Sequence, residues 1–190
     1  MDLPDDRGPA RPRGRVRGVA GIAPDRASVS RRTLLRGRLR GEPVLRPPWA
    51  IDESPFSDAC TGCGDCVRAC PEAVLVQAAG GLPMFDPRRG ECSFCGDCAG
   101  ACDAQLFRPV EQRPWALRAL VGQECLATQG VVCFSCRDAC PTAAIRFAPS
   151  RTMPVPEVLS DRCTGCGACI AGCPAGALSL SALHEEAIDA

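Results

Sequence analysis

Apolar residues come in short bursts along this chain and never in long runs. Val74-Leu75-Val76, Leu106-Phe107 and Ala144-Ile145-Arg146-Phe147 read as small, half-buried strands. Turn-forming stretches follow the first and third, at Gly80-Gly81-Leu82-Pro83 and across 148–156. Met84-Phe85 and Glu157-Val158-Leu159 come next, so these two segments predict a strand, a turn and a return strand. The stretch PWALRALV, residues 114–121, is different. Its apolar positions have helical spacing and predict a helix that closes at Gly122. The first thirty residues show no apolar period and are rich in Arg, Pro and Gly, so they are expected to be disordered. No stretch approaches 18 apolar residues, which predicts no membrane span.

Cysteine occupies the gaps between these bursts, and it repeats. CTGCGDCVRACP brings Cys60, Cys63, Cys66 and Cys70, CSFCGDCAGACD brings Cys92, Cys95, Cys98 and Cys102, and CTGCGACIAGCP brings Cys163, Cys166, Cys169 and Cys173. All three share the spacing C-x2-C-x2-C-x3-C, the bacterial ferredoxin run for a 4Fe-4S cluster. The two x2 steps wrap a loop around a cubane so that three thiolates reach three irons. The x3 step turns into a helix and directs the fourth cysteine elsewhere, usually to the other cluster of a pair. These twelve cysteines are the expected cofactor ligands, for three clusters.

The remaining group departs from this pattern. Cys125 is followed by Cys133, Cys136 and Cys140, so the first gap has grown from two residues to seven. Four thiols and an intact C-x2-C-x3-C-P half predict a fourth cluster; the competing reading is a decayed site with structural cysteines. An enlarged loop of this kind can expose a cluster, shift its potential or make it labile. The pairing of quartets stays open between first-with-second plus third-with-fourth and a nested arrangement. Zinc is the other metal that takes four thiolates, but its sites commonly use two C-x2-C pairs split by a longer loop.

Composition sharpens this picture. The chain has 190 residues with sixteen Cys, two Trp, six Phe and no Tyr. Side chains alone provide a thin core for that length, and bound inorganic centres can supply the missing cohesion. Net charge is zero but unevenly spread: residues 1–46 hold twelve arginines against five acids, and 47–190 hold ten against seventeen. Within the basic segment, Ser30-Arg31-Arg32-Thr33-Leu34-Leu35 looks like a twin-arginine export address. Arg36, Arg38, Arg40 and Glu42 then fall where an apolar run should be, and no small-residue cleavage site follows. Inserting each of those charges would cost about 2.5–3.5 kcal/mol. The segment therefore reads as uncleaved and the chain as cytoplasmic, a reducing compartment where abundant cysteine points to metal rather than disulfides.

The expected fold is α+β: ferredoxin-like iron–sulfur modules forming two pseudo-symmetric bacterial-ferredoxin-type halves behind a disordered basic N-terminal tail. The expected divisions are 1–46 (basic, largely disordered), 47–110 (quartets one and two), 111–182 (quartets three and four, with Trp115 as a core anchor between the halves) and 183–190 (polar tail). No P-loop, dinucleotide fingerprint or nucleophile motif is present, and His184, the one histidine, lies in the polar tail, so no enzyme activity is expected. Scarce aromatics and an acidic body argue against nucleic-acid binding.

SRRTLLRGR, RPPW, ECSFCGDC, ACDAQLF and the whole of 114–147 together resemble the NapF family of ferredoxin-type proteins, cytoplasmic accessory proteins of the periplasmic nitrate reductase system. The stretched third quartet is the most diagnostic part, and the likeness covers roughly residues 28–180. The resemblance implies an iron–sulfur protein that engages the nitrate reductase catalytic subunit in the cytoplasm and assists its maturation before export. The basic segment then has a candidate task, docking an acidic partner surface through Arg31, Arg32, Arg36, Arg38 and Arg40; the competing reading is a solvated basic tail. The alternative function is that of a permanent electron-transfer subunit of a multisubunit oxidoreductase. Asp103 stands where the other quartets have proline, which leaves the end of that helix in question.

Overall fold

The computed structural model describes residues 44–182 apart from 79 and 150–152. Residues 1–43, with the twin arginines and the basic segment, and 183–190, with His184, lie outside the described residues. The described part opens with helix α1 (Glu53–Ala59). Four one-turn helices follow at intervals: α2 (Asp65–Arg68), α3 (Asp97–Gly100), α4 (Ser135–Asp138) and α5 (Ala168–Ala171). The strands are β1 (Leu75–Gln77), β2 (Pro83–Phe85), β3 (Leu117–Val121), β4 (Ile145–Phe147), β5 (Pro156–Val158) and β6 (Leu178–Ala182).

They form three two-stranded antiparallel sheets, β1-β2, β3-β6 and β4-β5. Two of these are the expected hairpins, with Leu75 opposite Phe85 and Ile145 opposite Val158. Leu106-Phe107 makes only an isolated bridge, from Phe107 to Ala50. The helix expected at 114–121 is β3. Leu117 to Val121 pair with Ala182 to Leu178 residue by residue. An eight-residue helix is marginal alone, whereas a strand here gives five residues of β6 a backbone partner.

The four-fold sequence repeat is also a backbone repeat. Two residues after the position following each quartet, Ala73, Gln105, Ala143 and Gly176 all take left-handed φ, between 49° and 60°. Each donates its N–H to the carbonyl of the quartet's last cysteine, at 3.1 to 3.3 Å. Gln105 makes this turn although Asp103 replaces proline, so the proline is dispensable for it. Gly64, Gly96 and Gly167 start α2, α3 and α5 with φ between 78° and 91°. The third quartet has Phe134 at that place with φ −127°, because the chain arrives from a longer loop.

Val74, Leu75, Phe85, Ala119, Ile145, Ile170, Leu178 and Leu180 form the main core, continuous with the third cysteine of every quartet: Cys66, Cys98, Cys136 and Cys169. Trp115 packs against this core at half burial. Its ring lies 5.1 Å from Phe85 and 5.6 Å from Phe94, and its Nε1 donates to Thr164 O at 2.9 Å. It therefore ties β2 and the second quartet's loop to the fourth quartet's loop. The Cys92 N–H donates to Cys166 O at 2.8 Å across the same junction. The segment expected to be disordered is ordered at its end. Leu45 O accepts from the Phe85 N–H at 2.7 Å, and Arg46 pairs with Glu53 at 2.6 Å while lying over the Phe56 ring.

Candidate metal centres

Each quartet loop bends three sulfurs toward one cavity, and a short helix carries the fourth cysteine to a neighbouring cavity. Four cavities result, each lined by four cysteines. The first is lined by Cys60, Cys63 and Cys66 with Cys102. The second takes Cys92, Cys95 and Cys98 with Cys70. The third takes Cys125, Cys133 and Cys136 with Cys173, and the fourth Cys163, Cys166 and Cys169 with Cys140. Quartets one and two thus exchange their last cysteines, as do three and four, which is one of the two pairings the spacing left open. The exchange follows from packing: α2 lies beside α3 and α4 beside α5.

Sixteen free cysteines line these cavities, and none is in a disulfide. The enlarged loop does not open the third cavity. Residues 125–131 fold into a turn held by Gln129 N–H to Cys125 O at 3.0 Å and Val131 N–H to Leu126 O at 2.8 Å. This turn buries Cys125 and Ala127. The cysteines with the greatest exposure are instead Cys63 and Cys95, in the first and second cavities.

The electrostatics show what these cavities need. Burial first, and then the neighbouring thiols Cys60, Cys102 and Cys63, push Cys66 up to about 11. Burial pushes Cys98 to about 12, aided by Cys92, Cys95 and Cys66. Cys169 reaches about 12 through burial with Cys166, Cys163, Cys140 and Cys136. Thiols this crowded resist ionising together, and a multivalent cationic centre among them reverses that preference. Backbone donors already point at sulfur. Ala144 N–H reaches Cys140 Sγ at 3.3 Å, Ala177 N–H reaches Cys173 Sγ at 3.3 Å and Phe94 N–H reaches Cys92 Sγ at 3.4 Å. At Cys140, burial opposes ionisation, but hydrogen bonds from Thr142 and Ala144 outweigh it and hold the thiol below its ordinary value.

The donor set fits a 4Fe-4S cluster in all four cavities: four soft thiols, apolar walls and N–H groups that stabilise thiolate charge. Among the described residues, no three or more His, Cys, Asp or Glu are arranged to hold a single metal ion. A zinc ion would draw its thiolates to about 2.3 Å from one centre, whereas a cubane spreads them over separate irons.

Two profiles described as "4Fe-4S dicluster domain" match the chain, one over residues 59–107 and one over 131–177. The chain is 43% identical over 160 residues to the ferredoxin-type protein NapF of Escherichia coli K12, covering 83% of this chain and 98% of that protein. It belongs to the NapF family. NapF of Haemophilus influenzae is 42% identical over 75% of this chain and 81% of its own length. The methylamine utilization ferredoxin-type protein MauM of Methylorubrum extorquens is 37% identical over 75% of this chain and 74% of its own. As a NapF-type protein with two dicluster domains, the chain is an iron–sulfur electron carrier rather than an enzyme, with sixteen cysteines for four 4Fe-4S clusters. Among the described residues, no helix is long and apolar enough to cross a membrane.

The spacing points to the cysteines but not to the burial of two residues around them. Trp49, the last residue of RPPW, lines the second cavity, and Arg118, within 114–147, borders a neighbouring cleft.

Proposed function

We propose that this chain is a four-cluster ferredoxin that engages the catalytic subunit of periplasmic nitrate reductase in the cytoplasm and assists its maturation before export. The observation that carries the electron-transfer part is the crosswise supply of cysteines to four cavities. In this reading Cys60, Cys63, Cys66 and Cys102 hold one cluster, and Cys92, Cys95, Cys98 and Cys70 a second. Cys125, Cys133, Cys136 and Cys173 hold a third, and Cys163, Cys166, Cys169 and Cys140 a fourth. Residues 47–110 and 111–182 are the two modules. When bound, each cluster passes one electron at a time. The protein's own part is to gather four sulfurs at each site, aim backbone N–H donors at several of them, and fix neighbouring sites side by side.

The family resemblance supports the nitrate reductase partner, and the excess of arginine in residues 1–46 supports an acidic docking surface on it. The test is anaerobic co-purification of the tagged chain with the signal-bearing catalytic subunit. Capture of the unexported precursor, lost in high salt and on replacing Arg31, Arg32 and Arg36, supports the accessory role. A stoichiometric partner that survives high salt would instead mark the chain as a permanent subunit of an oxidoreductase complex.

A further inference from the structure

Arg118 lies on β3 between Leu117 and Ala119. Its neighbour Ala119 lines the fourth cavity and donates its N–H toward Cys163 Sγ at 3.5 Å. Arg118 itself is only 5% exposed and is the one buried charged residue among those described. Its Nε donates to Ser160 O at 2.7 Å and its Nη1 to Leu117 O at 2.6 Å. Both acceptors are neutral carbonyls. The ion pairs among the described residues involve Arg46, Arg68, Arg137 and Arg146, and Arg118 has none. Asp161 borders the same open cleft without pairing with it.

A buried guanidinium without a carboxylate is costly, and chains keep one where a negative charge is close by. Cys163 is the shared wall: it lines both the cleft that Arg118 borders and the fourth cavity. We propose that Arg118 is the built-in counter-charge of the fourth cavity and raises the reduction potential of the cluster held by Cys163, Cys166, Cys169 and Cys140. The reason is Coulombic. Reduction adds one electron to a site that already carries four thiolates, and a fixed cation in a poorly solvated setting favours the more negative state. Arg118 acts through its charge and through the Ser160 turn that leads into Cys163, so it is a positioning residue. Arg46 is also largely buried, over the Phe56 wall of the first cavity, but its charge is paired with Glu53, whereas Arg118 has no carboxylate partner among the described residues.

This rests on the four-cluster reading, and the experiment separates the two. Iron and sulfide analysis of the unaltered protein tests the clusters. Dithionite titration followed by electron paramagnetic resonance then tests Arg118, supplying one electron per cluster with no bond made or broken. In Arg118→Gln, which keeps a donor for Ser160, one midpoint is expected to fall by at least a tenfold change in the reduction equilibrium, about 59 mV for one electron. Arg118→Lys is expected to retain the original value. The shifted signal should be the one altered by Cys163→Ser. Ser181 lies opposite Arg118 across β3 and β6 and is partly exposed. Ser181→Asp supplies the missing carboxylate there, should lower the same midpoint and keeps the test available if Arg118→Gln does not fold. Unchanged midpoints in the variants that fold with full iron content overturn the proposal, as does an equal shift in all four clusters.

Discussion

Ala143 sits in left-handed backbone at φ 49°, where its Cβ crowds the neighbouring carbonyl. The fourth repeat has Gly176 at the same place. Ala143→Gly should therefore stabilise the protein by about 0.5–1 kcal/mol, relief of the left-handed penalty less the entropy of a freer unfolded chain. Thermal melting of the loaded protein under argon checks this, and an unchanged or lower midpoint contradicts it. Trp49 is the opposite kind of residue. It is 4% exposed, its Nε1 donates to Gln112 O at 2.7 Å, and its ring meets Phe94 edge-on at 6.2 Å. Trp49→Ala should cost about 3–5 kcal/mol, the usual range for emptying a buried aromatic site, measured by denaturant unfolding. Nothing in the apolar pattern around Pro47, Pro48 and Trp49 announces this burial. It depends on Pro114 and Gln112, more than sixty residues further on.

The elements are small enough that local propensity decides little. The two hairpins were legible because strand, turn and return strand lie within a dozen or so residues of each other. β3 was misread as a helix because its partner, β6, lies some sixty residues away, and a pattern with apolar residues at 117, 119, 120 and 121 suits either form. The one-turn helices matter for where they send the last cysteine. Because α2 and α3 pack side by side, Cys102 enters the first cavity and Cys70 the second. Cys102→Ser and Cys63→Ser should therefore weaken the same cluster, and Cys70→Ser and Cys95→Ser a different one. Paramagnetic resonance of the reduced variants reads this directly. Cys102→Ser affecting the cluster of Cys92, Cys95 and Cys98 would contradict the exchange.

At the scale of the whole molecule, the core is narrow and runs through sulfur. Phe56, Phe85 and Val74 are the large side chains most completely enclosed, together with Pro47 and Pro48, and a buried cysteine from each quartet adjoins the main core. Four clusters should bring about sixteen irons and sixteen sulfides per chain, and stoichiometric zinc without sulfide would contradict them. Removing iron with a chelator under argon should unfold the chain or lower its melting point sharply, since cluster binding and folding are coupled. A metal-free chain with the same melting curve would show that the sulfurs are not holding the fold. The sequence by itself determined the chemistry of three quartets, their thiol donors and three-plus-one division, because these follow from spacings of two and three residues; for Cys125, Cys133, Cys136 and Cys140, with a seven-residue first gap, it left a decayed site open. Tertiary structure alone decided which cysteine joins which cavity, that 117–121 is a strand, and that Arg118 is buried beside Cys163. Each of those depends on contacts between residues tens of positions apart, which the chain's local pattern does not encode.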